Sequence, residues 1–106
     1  MKQYKLDECG LRGWFIGDFE GSVWPNKDFE ICYQKNSRGQ TASHIHKIAH
    51  EITLVISGRQ LCNGKLFGPG EICVLEPGDI SQIEYLEETE VVTIKVPSVP
   101  SDKHFL

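Results

Sequence analysis

Hydrophobic and polar positions alternate along this chain in short stretches and rarely hold a longer rhythm. Over residues 29–35, Phe29, Ile31 and Tyr33 fall on one side and Glu30, Cys32 and Gln34 on the other, as the two-residue side-chain period of a strand requires. Residues 14–19, 41–45, 72–75, 80–86 and 91–96 read as further strands, with Ile83 and Tyr85 on the Ser81 face. Residues 52–56 are apolar at Ile52, Leu54 and Ile56, while Thr53 and Val55 share the face of Glu51. Neither face is clearly polar, so this strand is expected to be covered on both sides, by the N-terminal strands or by a second subunit. No segment keeps the 3.6-residue apolar spacing over the length a helix needs.

Turn chemistry separates these runs. Asn36-Ser37-Arg38-Gly39, Gly68-Pro69-Gly70 and Pro77-Gly78-Asp79 are breaks. Asn63-Gly64, between short strand-like runs at 59–62 and 65–67, predicts a tight hairpin, because a type I′ turn needs positive φ at both central residues. Pro97 and Pro100 stop the last strand, and the tail 101–106 is expected to be loose or docked on a partner. Many short strands broken in this way describe an all-β sandwich or barrel.

Composition narrows the class. The chain has 106 residues, 40% hydrophobic and 25% charged, which fits one globular domain over 1–106 with its barrel core at about 28–97. The net charge is −4 and there is no basic run, so neither nucleic acid nor an anionic membrane is an expected partner. No apolar stretch approaches the length of a membrane span, and the first residues lack a signal peptide's apolar core. Cys9, Cys32, Cys62 and Cys73 form no C-x-x-C pair. They read as small buried hydrophobes of a reducing cytoplasm, with a single disulfide as the alternative.

The candidate chemistry lies in residues 44–58, where His44, His46, Glu51 and Gly58 form H-x-H-x4-E-x6-G. Two residues apart on a strand, both imidazoles face the same way. If the next strand pairs alongside, Glu51 joins them. Two neutral imidazoles and a carboxylate make the facial triad that suits a six-coordinate divalent metal with open positions. The competing reading is a polar hairpin with solvated histidines. His50, adjacent to Glu51, faces away in a regular strand and enters the pocket only through irregular backbone. Tyr33, Tyr85 and Trp14 are candidates to line a cavity, against ordinary core or interface packing. Arg59 is a candidate anion holder or an exposed hairpin residue. Glu84, Glu87, Glu88 and Glu90 read as a solvated acidic edge, and His104 as solvated.

These residues resemble the cupin superfamily. Its first motif is G, x5, H-x-H, x3 or x4, E, x6, G. Gly39 precedes His44 with four intervening residues rather than five, and His44, His46, Glu51 and Gly58 match. Its second motif is G, x5, P-x-G, x2, H, x3, N. Gly70 and Gly78 hold their spacing, the proline is displaced to Pro77 with Glu76 in its place, the histidine falls on Ser81 and the asparagine on Tyr85. The resemblance spans about half the chain. It implies a double-stranded β-helix (a small jelly-roll barrel) with a metal inside, and a homodimer formed through N-terminal strands. It also implies that Ser81 replaces the fourth metal ligand, leaving about three open positions on an octahedral ion.

Three functions follow as expectations. One is an enzyme with Fe, Mn, Zn or Ni at His44, His46 and Glu51, acting on a sugar derivative or organic acid by oxygenase or isomerase-type chemistry, with Tyr33, Tyr85 and His50 as candidate acids or bases. Another is a non-catalytic binding or sensing module, favoured by Ser81. The last is an empty triad in which the histidines hydrogen-bond Glu51 directly. Fold does not choose among them.

Overall fold

The computed structural model describes residues 1–105. After a single 3-10 turn, Leu6–Glu8, ten strands follow: β1 Trp14–Ile16, β2 Glu30–Asn36, β3 Thr41–Ile45, β4 His50–Ser57, β5 Gln60–Cys62, β6 Lys65–Phe67, β7 Ile72–Leu75, β8 Ile80–Tyr85, β9 Thr89–Val96 and β10 His104–Phe105. They form two five-stranded sheets, ordered β1-β2-β9-β4-β7 and β10-β3-β8-β5-β6, and every pairing is antiparallel. The expected all-β barrel is therefore present. The early strand is shorter than residues 14–19, because Gly17 turns the chain at φ 151.

Local sequence fixes the corners. Asn63 and Gly64 have φ of 52 and 78, and the Cys62↔Lys65 pair closes the β5–β6 hairpin around them. Gly58 has φ 81, and a Cβ there would lie 2.3 Å from the Glu88 carbonyl oxygen. That close approach explains a glycine at the motif's end.

The registers decide what faces inward. Glu30 pairs with Lys95, and Lys95 with Glu51. Cys32, Thr93 and Thr53 form the next inward row, and Gln34, Val91 and Val55 the one after. Across the barrel, His44 pairs with Ser81, Ala42 with Ile83, and Gln60 with Tyr85. The interior is thus unusually polar, with Glu30, Glu51, Thr53, Thr93, Lys95, Gln60 and Ser81 all buried.

The apolar side of the first sheet faces out. Ile31, Ile94, Ile52 and Val74 make one cross-strand row, and Tyr33, Val92, Leu54 and Ile72 the next. Ile72 is 57% exposed and Val74 55%. Of the two covers expected for the 52–56 strand, the N-terminal strands are not the one. The N-terminal strand β1 extends the sheet edge beside β2 instead of lying over β4, so Ile56 is exposed.

The tail docks on its own barrel. β10 pairs with β3, His104 opposite Ile45 and Phe105 opposite His44. Leu106 lies outside the described residues. Among the described residues, no helix is long and apolar enough to cross a membrane.

Candidate metal centre and cavity

Strands β3 and β4 carry the triad, His44 on β3, His46 just beyond it, and Glu51 on β4, and all three are buried. Glu51 Oε2 lies 2.9 Å from His46 Nδ1 and 3.3 Å from His44 Nε2. The two rings meet edge-on, with centroids 4.7 Å apart. The candidate ligand atoms all fall within 4.8 Å of one another. Burial pushes the Glu51 carboxyl upward, but hydrogen bonds from His44 and His46, with their charges, outweigh it and hold it well below the usual range. At neutral pH Glu51 is therefore a carboxylate, the form a cation needs.

Closed on itself, the triad is incomplete. One carboxylate oxygen is shared by two rings, and the remaining nitrogens, His44 Nδ1 and His46 Nε2, are buried without a partner. Such atoms cost about 1–3 kcal/mol each. The donor set, two imidazoles and an ionised carboxylate at close range, fits a divalent first-row metal.

The turn between the ligands is held from the tail. Asp102, buried, accepts backbone N–H bonds from Lys47 (3.0 Å), Ile48 (2.8 Å) and Ala49 (2.8 Å). Its carboxyl is pushed up by burial, yet those three donors and the nearby His46 bring it below the ordinary value. Gly78 N–H donates to the His46 carbonyl at 2.8 Å. This clamp was not foreseen, because the aspartate sits in a tail that carries no strand pattern.

His44 and Glu51 line a cavity of about 690 Å³, within the range of small-molecule sites. Tyr85 and Trp14 line it, as do Lys95 and Glu30. Ser81 sits opposite His44, 1% exposed, with its Oγ unpartnered.

Two pocket candidates are corrected. Tyr33 is on the outward face, its hydroxyl donating to Glu90, because it shares parity with Ile31 rather than with Cys32. His50 is exposed at the start of β4 opposite Val96, since the backbone there stays regular and alternation turns it away from Glu51. Arg59 pairs at the surface with Glu87 at 3.3 Å. His104 is half-buried, 3.5 Å from Asp102.

No protein-family model and no curated protein matches the chain. Solved structures do. A Klebsiella pneumoniae protein described as having a double-stranded β-helix domain aligns with a TM-score of 0.66 and 21% identity, over 92% of this chain and 85% of that one. A Ralstonia eutropha protein of unknown function with a cupin-like fold gives 0.62 and 17%, over 80% and 57%. Pac13, described as a nucleoside dehydratase, gives 0.73 and 15% over 100% and 91%. A Streptomyces Pac13 variant with uridine gives 0.71 and 16% over 100% and 92%. The chain has the cupin fold.

Within this cupin barrel, sequence reasoning missed Lys95 and Glu30. Lys95 Nζ lies 3.8 Å from Glu30 Oε1 and 4.6 Å from the centre of the Trp14 ring, a contact that attracts a cation to the ring face. Ser98 Oγ donates to the other Glu30 oxygen at 3.0 Å. The available signal was parity: Thr89, Val91, Thr93 and Lys95 share one face of β9, so a lysine falls among inward positions.

Proposed function

We propose that this cupin holds one divalent metal (Fe, Mn, Zn or Ni) at His44, His46 and Glu51, and transforms a small polar organic molecule in the adjoining cavity. The observation that carries the reading is the cluster of three buried donors, one of them a carboxylate held ionised, two of which line a cavity of about 690 Å³. A metal bound there supplies Lewis acidity toward a substrate oxygen.

The chain's own groups point to proton transfer, of the isomerisation or elimination type, rather than oxygenation. Lys95 brings an ammonium to the row that carries Glu51. Burial, with the Glu51 charge behind it, pushes the Tyr85 phenol up to about 12, so at neutral pH it is a hydrogen-bond donor that binds, beside Gln60, rather than a base for the reaction. Trp14 supplies an aromatic wall beside Lys95. Sugar derivatives, organic acids and nucleosides are the classes this lining suits. The full-length likeness to a nucleoside dehydratase supports a substrate of that size.

A second reading, a binding or sensing module with weak or no metal, is favoured by Ser81. Its hydroxyl stands opposite His44 where a third imidazole, as fourth ligand, would tighten the site. A homodimer in a reducing cytoplasm completes the proposal. Support for the dimer is the outward row Ile31, Ile94, Ile52 and Val74 with its neighbour, since an apolar patch of that extent marks an interaction surface. Support for the compartment is the four free, buried thiols.

The test is metal content of untagged protein by elemental mass spectrometry, after growth or supplementation with each ion. The expected result is near-stoichiometric metal, lost in a His44→Ala/His46→Ala variant, followed by turnover in a screen of the named classes. Absence of metal after every supplementation overturns the metalloenzyme reading. Full occupancy and tight ligand binding without turnover favours the sensing module.

A further inference from the structure

The end of the cavity away from the triad carries two primary amides, each with one buried atom that lacks a partner. Gln60 is 1% exposed and its Oε1 has no hydrogen bond, and the buried Nδ2 of Asn36 has none either. Both residues line the cavity. They are neighbours through the fold. Asn36 pairs with Thr89 across β2 and β9, and Thr89 Oγ1 donates at 3.1 Å to the carbonyl of Arg59, the residue before Gln60. Gln60 in turn pairs with Tyr85. A primary amide has one donor end and one acceptor end, so the pair offers both whichever way each is turned. A ligand carrying the complementary edge gives both groups a fixed partner.

The surroundings define the edge. Val91, Ile83 and the Tyr85 ring share this part of the wall with Gln34, Gln40 and Thr41, so the amides sit on a surface that mixes apolar, aromatic and uncharged polar groups. That combination accepts a flat ring and reads its rim. The opposite end differs, with charged Glu30, Lys95 and Glu51 in one cross-strand row. From Ser81 to Tyr85 along β8 the separation is about 13 Å at a strand's rise per residue, less the reach of the side chains into the gap.

We propose that Asn36, Gln60 and Tyr85 form a subsite for a planar heterocycle with a lactam or imide edge, an N–H beside a C=O. This heterocycle is one part of a molecule whose oxygen-rich part lies toward the triad. The location of that second part rests on the function proposed above; the amide subsite does not.

Uridine and 3-methyluridine are the probes, measured by isothermal titration calorimetry on the full chain. Uridine binds, and 3-methyluridine, whose imide N–H is blocked, binds at least tenfold more weakly. Gln60→Met lowers uridine affinity tenfold or more and leaves 3-methyluridine unchanged, while its metal content stays that of the unsubstituted protein. The His44→Ala/His46→Ala variant keeps the preference for uridine over its methyl analogue. Equal affinity for the two nucleosides, or no binding of either at millimolar concentration, overturns the subsite. The analogue comparison on the unsubstituted protein decides the matter even if Gln60→Met fails to fold. Stoichiometric metal without nucleoside discrimination removes the subsite alone, and discrimination without metal removes the metalloenzyme alone.

Discussion

Asp102 offers the sharpest test of how the candidate metal centre is held. Asp102→Ala removes the acceptor for three backbone N–H groups in the turn joining His46 to Glu51. Lys47 and Ile48 are exposed, so water replaces most of what their N–H groups lose. Ala49 is 1% exposed, and its N–H is left dry. A hydrogen bond to a charged group is worth about 1.5–3 kcal/mol and a dry orphan about 1–3, which gives a destabilisation of about 2–4 kcal/mol. At a urea m-value of roughly 1.5 kcal/mol/M, the midpoint falls by about 2 M. Asp102→Asn keeps one acceptor oxygen and loses about half as much. The carboxyl is held below its ordinary value, so its contribution is present above the unfolded aspartate range near pH ~4. It is lost only as pH falls through the lower folded value. The gap between Asp102→Ala and the unsubstituted protein is therefore flat from neutral pH down to that range and closes below it. Metal affinity measured with a competing chelator drops as well, because the loosened turn carries His46 and leads into Glu51. An unchanged urea midpoint, or a gap that closes as pH rises, refutes the clamp. Lost stability with unchanged metal affinity makes Asp102 structural only.

Other expectations follow from the same geometry. Ser81→His, placed opposite His44, tightens metal binding tenfold or more, ~1.4 kcal/mol, in a chelator competition; unchanged affinity means Ser81 does not face the metal. Lys95→Met strands the buried Glu30 carboxylate and destabilises by about 3 kcal/mol. Adding Glu30→Gln recovers much of that, and denaturant melts of both variants against the unsubstituted protein provide the check. Ile72→Lys with Val74→Lys, both on the exposed apolar face, converts a dimer to a monomer in multi-angle light scattering without loss of metal. A dimer that survives both substitutions places the interface elsewhere.

Much of this was legible from local patterns. Alternation marked β2, the Asn-Gly pair marked the β5–β6 hairpin, and breaks at Gly and Pro marked a small barrel, because strand period and turn dihedrals are set by a few adjacent residues. The H-x-H-x4-E-x6-G run placed three donors on adjoining strand segments, and the glycine that ends it is explained by the backbone crowding at Gly58. What the sequence could not decide was which face of each strand turns inward. In β2 the polar parity of Glu30, Cys32 and Gln34 lines the cavity while Ile31 and Tyr33 face out, opposite to the usual pairing of apolar with interior. Two sheets closed around a ligand-sized space bury polar groups against each other, and only the cross-strand registers show which ones meet. For the same reason Tyr33 lies outside this cavity and Lys95 and Glu30 line it. The clamp at Asp102 depends on a contact across more than fifty residues of chain. Periodicity carries no information about such a contact, because only the folded chain brings the tail to the turn between the ligands.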